Sequence, residues 1–163
     1  MRHAKAEQFA EDDYHRELTE RGRRDAADAG AWLAAEGLFP THAYVSSAVR
    51  AVATWDAVSS GAAGDAHVEV HIEDGLYPAG PDTVLDTLRT APANASIVMY
   101  VGHNPTAASL AHLLDDGNPD PEAFRAMSEG VPTSAMAVLD VSVDWPDLGP
   151  ASGRLMAFHA GRG

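Results

Sequence analysis

Along the chain, stretches with apolar residues at helical spacing alternate with short apolar runs. Ala26, Ala29, Gly30 and Leu33 recur three to four positions apart, which is the spacing of one helix face. Thr19 precedes them as a cap and Gly37 follows as a stop, so a helix is predicted from Thr19 to about Glu36. Ala43–Ser46 reads as a short strand, and Ala48–Val58 as a helix with Val49, Val52, Ala53 and Trp55 toward the core. Val68, Val70 and Ile72 alternate with polar residues, the pattern of a half-exposed strand. Pro81 suits the first turn of a helix reaching about Arg89. Ile97–Val101 is continuously apolar, as a strand buried on both faces of a parallel sheet requires. Asn104 is placed to cap a further helix with Pro105 in its first turn. Asp115–Gly130 reads as turn-rich and irregular, and Ala135–Val141 and Arg154–His159 as the last two strands. Strands alternating with helices predict an α/β fold: a three-layer α/β/α sandwich around a mostly parallel central sheet.

The 163 residues fit one domain without repeats or a dividing linker. No run of 18 apolar residues occurs, so no membrane span is expected. With Glu7–Arg16 polar, no signal peptide is expected. Cysteine is absent, which removes disulfides, thiolate metal sites and cysteine nucleophiles from consideration and agrees with the cytoplasmic location expected here. The formal charge of -13 argues against nucleic acid and anionic membranes as partners. An anionic substrate therefore has to be drawn by a local positive patch.

Such a patch is available if three separated segments meet. They are Arg2-His3 in a loop, Ser46-Ser47-Ala48-Val49-Arg50, and Gly102-His103-Asn104 after an apolar strand. Two guanidiniums suit a phosphate dianion, because each planar fork donates parallel hydrogen bonds to its oxygens. A neutral imidazole beside them, with an ordinary pKa of about 6.5, can attack phosphorus and carry the group as phosphohistidine. His3 is the candidate nucleophile, Arg2 and Arg50 the phosphate clamp, and His103 a second phosphate ligand in front of a helix N-terminus. Ser46, Ser47 and Asn104 are further candidate substrate contacts, though a strand end and a helix cap account for them more simply. His67, Glu69, His71 and Glu73 occupy one face of a strand and superficially resemble metal ligands; at period two they read as a solvated face. Trp32, Trp55 and Trp145 read as packing residues, and Arg21, Arg23 and Arg24 as an exposed helix turn.

Taken together, Arg2-His3-Ala4-Lys5-Ala6, Leu18-Thr19-Glu20-Arg21-Gly22, Ser46–Ala51 with Thr54, Leu76-Tyr77-Pro78-Ala79 and Val101–Pro105 resemble the histidine phosphatase superfamily. This superfamily includes the phosphoglycerate mutases, and within it the likeness is to SixA-type phosphohistidine phosphatases. The resemblance implies a phosphoglycerate mutase-like sandwich, catalysis at His3 without cofactor or metal, and a phosphorylated histidine-containing protein as partner. A small phosphate ester is the alternative substrate, and a catalytically weak phosphate-binding regulator the alternative function. The intact set of Arg2, His3, Arg50 and His103 argues against that regulator, which needs no nucleophile.

The resemblance also implies a core strand leading into the Arg-His loop. Here that strand is nearly absent, so residues upstream of Met1 or a mere stub of a strand are expected. Many relatives carry an acid that protonates the leaving oxygen. Here Asn104 follows Gly-His, and Asp74, beside Gly75, is the nearest candidate for the other acid position. A weak or missing acid suits a P–N bond, since imidazole leaves neutral when its ring is already protonated. Only 52 residues separate Arg50 from His103, which leaves no room for a lid. The pocket is therefore expected to be shallow, open and accessible to a folded domain.

Overall fold

A computed structural model describes residues 1–62 and 67–163. The chain runs α1 (Glu20–Ala35), β1 (His42–Ser46), α2 (Val49–Gly61), β2 (Glu69–Glu73), a 3₁₀ turn (Asp74–Leu76), α3 (Pro81–Leu88) and β3 (Val98–Val101). It continues through α4 (Thr106–Leu114), α5 (Pro121–Ser128), β4 (Ala135–Val141), a second 3₁₀ turn (Trp145–Asp147) and β5 (Gly153–Ala160). The first three strands form a parallel sheet in the order β2-β1-β3, and β4 pairs antiparallel with β5.

The layering follows from side-chain alternation on buried strands. Ala43 and Val45 of β1, with Met99 and Val101 of β3, pack into one core with Ala29 and Leu33 of α1 and Trp55 and Val58 of α2. Tyr44 and Tyr100, one position along, point the other way into a second core with Val84 and Leu88 of α3 and Leu110 of α4. Both faces of the sheet are thus covered, and the expected α/β/α sandwich is the observed one. Gly30 and Gly61 let α1 and α2 touch backbone to backbone, because a Cβ at either would fall 2.0 Å from a carbonyl oxygen of the other helix.

Arg2 bridges Gly102 in parallel, and its N–H donates to the Ala135 carbonyl at 2.9 Å, so residues Met1–His3 lie between the end of β3 and the start of β4. Next to Met1, a cavity of about 1010 Å³ is lined by β3 and β4, with Met99 and Tyr100 on one side and Met136 and Val138 on the other.

Three expectations change. Part of the stretch expected to be irregular is helix α5, where Asp120 caps Glu122 and Ala123, Pro121 takes the first turn, and Ala123 and Met127 bury one face. On α2, Trp55 is buried and Val52 and Ala53 pack partly covered against the core as expected, but Val49 does not join them, and Arg50, Ala51, Thr54 and Val58 complete the buried side. On β2 both faces are largely open: Val70 and Ile72 are exposed like Glu69 and Glu73, while the His71 ring is half-buried and stacks on Tyr44 at 4.9 Å. β2 is an edge strand, with Val70 and Ile72 in register with Ala43 and Val45 of β1 and His71 in register with Tyr44.

Candidate active site

His3 is fixed by its neighbours on every side. Its N–H donates to the Gly102 carbonyl at 2.8 Å, and its carbonyl accepts from Ser134 N–H at 3.2 Å. The next residue, Ala4, donates to Thr54 Oγ1 on α2 at 2.9 Å. Lys5 O accepts from the N–H of Thr19, the residue that caps α1, at 3.0 Å. Gly22 presses on the same carbonyl so closely that a Cβ there would meet it at 2.1 Å. This explains the Leu-Thr-x-x-Gly block: it clamps the Arg-His loop. Ser134 adopts a left-handed backbone, φ 62°, as it delivers its N–H to His3.

The ring of His3 has a defined tautomer. Its Nδ1 lies 2.7 Å from the Ala4 carbonyl, an acceptor only, so Nδ1 carries the proton and Nε2 the lone pair. Arg50 Nε–H donates to that Nε2 at 3.3 Å, as the assignment requires. The His103 ring lies 5.2 Å from His3, centroid to centroid. Arg50 Nη2 donates to its Nδ1 at 3.4 Å, so its Nε2–H donates to Ser46 Oγ at 2.8 Å. Both imidazoles are pushed down to about 4, chiefly by burial. The Arg50 charge adds to the effect on both, outweighing a small opposing pull from the Asp13 carboxylate on His103, and both rings are neutral near pH 7.

Arg2 Nη1 donates to Val131 O at 2.8 Å, while its Nε is buried without a partner. Its charge also lowers the His3 pKa. The four central candidates, Arg2, His3, Arg50 and His103, therefore converge. The auxiliary candidates behave differently. Ser46 is wholly buried beneath His103 and orients that ring, so its hydroxyl is not presented to substrate. Ser47 Oγ is buried without a partner. Asn104 does not cap α4, which lacks a side-chain cap; its Nδ2 donates to Val131 O at 3.0 Å, beside Arg2. Asp74 is exposed on the first 3₁₀ turn, and no hydrogen bond or ion pair joins its side chain to the pocket among the described residues.

Two residues that sequence reasoning missed complete the pocket. Asp13 Oδ2 lies 2.9 Å from Arg50 Nη2 and accepts the Tyr77 hydroxyl at 2.8 Å. Hydrogen bonds from Arg16, then Tyr77, hold the Asp13 carboxyl well below the usual carboxylate range. The Tyr77 ring meets His103 edge-on at 5.6 Å and lies beneath the Arg50 guanidinium at 5.8 Å. Asp13 sits in the non-periodic polar stretch before α1, where no spacing rule points to it. Tyr77 lay inside a quoted block, but its sequence neighbours do not reveal what it touches. Of the metal-like set on β2, Glu69 pairs with His71 at 3.2 Å and with His42 at 3.4 Å, and no cluster of metal-ligating residues exists among the described residues.

Two guanidiniums around a neutral, tautomerically fixed imidazole, mounted beside the ends of parallel strands, form the candidate active site. The histidine phosphatase superfamily (branch 1) model matches residues 1–77. An uncharacterised protein of Mycobacterium tuberculosis is 35% identical over 99% of this chain and all of its own length. A Nakamurella multipartitia protein provisionally assigned as the phosphohistidine phosphatase SixA superposes with a TM-score of 0.84 at 30% identity, over 100% of this chain and 94% of its own. A similarly assigned Agrobacterium tumefaciens protein gives 0.79 at 30% identity, over 98% of this chain and 94% of its own. The chain belongs to the histidine phosphatase superfamily and is a SixA-type member of it. No helix among the described residues is long and apolar enough to cross a membrane.

Proposed function

We propose that the protein is a metal-independent, cytoplasmic phosphohistidine phosphatase acting on a phosphorylated signalling or phosphotransfer protein. In the first step His3 Nε2 donates its lone pair to phosphorus as the P–N bond to the substrate imidazole breaks. The leaving ring keeps the electron pair and departs neutral, having been protonated on its other nitrogen beforehand. Arg2 and Arg50 surround the transferring oxygens and stabilise their charge, and His103 joins them as a donor through Nδ1 once the bound dianion draws a proton onto its ring. Phosphorylation makes the His3 ring cationic, and the Nδ1–H···O=C bond to Ala4 supports that charge. In the second step water attacks phosphorus, the pair in the P–Nε2 bond returns to His3, and the water proton passes to solvent.

The observation that carries the substrate class concerns acid catalysis. Among the described residues the carboxylate that touches the pocket is Asp13, and it is held ionised by Arg16, Tyr77 and Arg50. It has no proton to give an alkoxide, whereas a protonated phosphohistidine needs none. The described residues between Arg50 and His103 are occupied by the rest of α2, then β2, α3 and β3, with no inserted lid. A folded partner therefore has access, and the SixA assignments of the Nakamurella and Agrobacterium proteins point the same way.

The deciding experiment compares kcat/KM for a phosphorylated histidine-containing phosphotransfer domain with values for sugar phosphates and phosphoglycerates. The phosphoprotein is expected to lead. A sugar phosphate ahead by tenfold, about 1.4 kcal/mol of transition-state discrimination, would overturn the assignment. In the same assay His3→Ala abolishes turnover, and the wild type forms an acid-labile, base-stable phosphoenzyme. More than about a tenth of activity left in that variant would remove His3 as nucleophile.

A further inference from the structure

Arg50 uses two different edges of its guanidinium. The edge formed by Nε and Nη2 faces the histidine pair, with Nε on His3 and Nη2 on His103. The distal edge formed by Nη1 and Nη2 faces Asp13, with Nη1 on its backbone carbonyl and Nη2 on its carboxylate. Arg50 is almost wholly buried, so its aim is set by these partners rather than by solvent. Asp13 is itself braced, because Oδ1 accepts from Arg16 Nη1 at 2.9 Å and Oδ2 from the Tyr77 hydroxyl.

We propose that Asp13 is the positioning residue of the phosphoryl-transfer site: it grips the distal fork of Arg50 so that the proximal fork meets the phosphate, and its negative charge opposes ground-state binding of the dianion. The inference rests on the proposed phosphoryl-transfer mechanism but not on the identity of the leaving group. The physical basis is a division of labour on one cation. A guanidinium held by one fork presents the other in a fixed plane, and bidentate contact depends on that plane. A carboxylate beside the clamp also partly neutralises it. It thereby weakens binding of substrate and product alike, without removing the contacts that align the transferring group.

The side chain of Asp13 is 53% exposed, so replacing it removes little buried surface and the variants are expected to fold. The test measures steady-state turnover of 4-nitrophenyl phosphate and inhibition by inorganic phosphate for the wild type, Asp13→Ala, Asp13→Asn and Tyr77→Phe. In Asp13→Ala, kcat falls about tenfold or more while the inhibition constant for phosphate drops severalfold. In Asp13→Asn, the amide oxygen still accepts from Arg50, so kcat recovers most of the loss, but the tighter phosphate binding remains because the charge is gone. Tyr77→Phe leaves Asp13 less braced and gives a smaller fall in kcat. The proposal is overturned if kcat in Asp13→Ala stays within about twofold of wild type, if Asp13→Asn is no better than Asp13→Ala, or if both variants bind phosphate more weakly. A purely structural role would raise KM and lower the melting temperature without the opposed movement of kcat and phosphate affinity. Failure of the substrate assignment appears separately, in the phosphoprotein comparison, and failure of the nucleophile in His3→Ala.

Discussion

The depressed pKa of His3 makes stability depend on pH in a way that can be isolated. Burial lowers the group from its ordinary 6.5 to about 4 in the folded protein, and the nearby Arg50 charge contributes. Between those values the unfolded chain binds a proton that the folded chain refuses. Stability therefore rises with pH across the window from about 4 to 6.5 and is lost as pH falls through it. Taking RT ln[(1 + 10^(6.5 − pH))/(1 + 10^(4 − pH))], the loss attributable to His3 is about 2.5 kcal/mol at pH 4.5 and below about 0.1 kcal/mol at pH 7.5. The perturbation that isolates it is His3→Gln, which keeps a polar side chain but cannot titrate. The acidic surface titrates in both proteins, so its contribution cancels in the difference. Urea unfolding of both proteins at pH 7.5 and pH 4.5 should show the wild type losing about 2.5 kcal/mol relative to the variant. With a slope of about 2 kcal/mol per molar, the gap between midpoints shifts by about 1 M. A gap that is the same at both pH values would refute the reasoning, because His3 would then carry no burial penalty on its charged form.

Three other outcomes follow from the geometry. Ser46→Ala leaves the buried Nε2–H of His103 without its acceptor and should cost about 1–3 kcal/mol in urea unfolding, together with a fall in kcat as the ring loses its orientation. Gly22→Ala drives a Cβ onto the Lys5 carbonyl at 2.1 Å, so calorimetry should show a melting point lowered by several degrees for a cost of about 1–3 kcal/mol, with turnover reduced because the Arg-His loop shifts. Turnover should be unchanged by EDTA and by added magnesium; loss on chelation with rescue by a divalent ion would count against the metal-free mechanism.

Much of this protein was legible in the order of its residues. Capped and periodic segments such as Thr19–Gly37, and the buried run ending at Val101, carry their structure locally. A cap satisfies nearby backbone donors, and an apolar period matches one element only. The four central site residues were legible for a related reason: each sits at the end of such an element, next to a turn that exposes it. Helix α5 was misread because its short apolar period, Ala123 and Met127, is embedded among turn-forming residues. The exposure of Val70 and Ile72 was not legible because β2 lies at the sheet edge, a position that local alternation does not encode. What only the tertiary structure decided is which polar group answers which. Asp13 meets Arg50 across 37 residues, Ser46 meets His103 across 57, and Asn104 turns from its own helix to Val131 across 27. Hydrogen bonds of this kind leave no period in a sequence, since either partner alone is compatible with a solvated surface. Only when the fold removes water from around them does each buried donor require one particular acceptor.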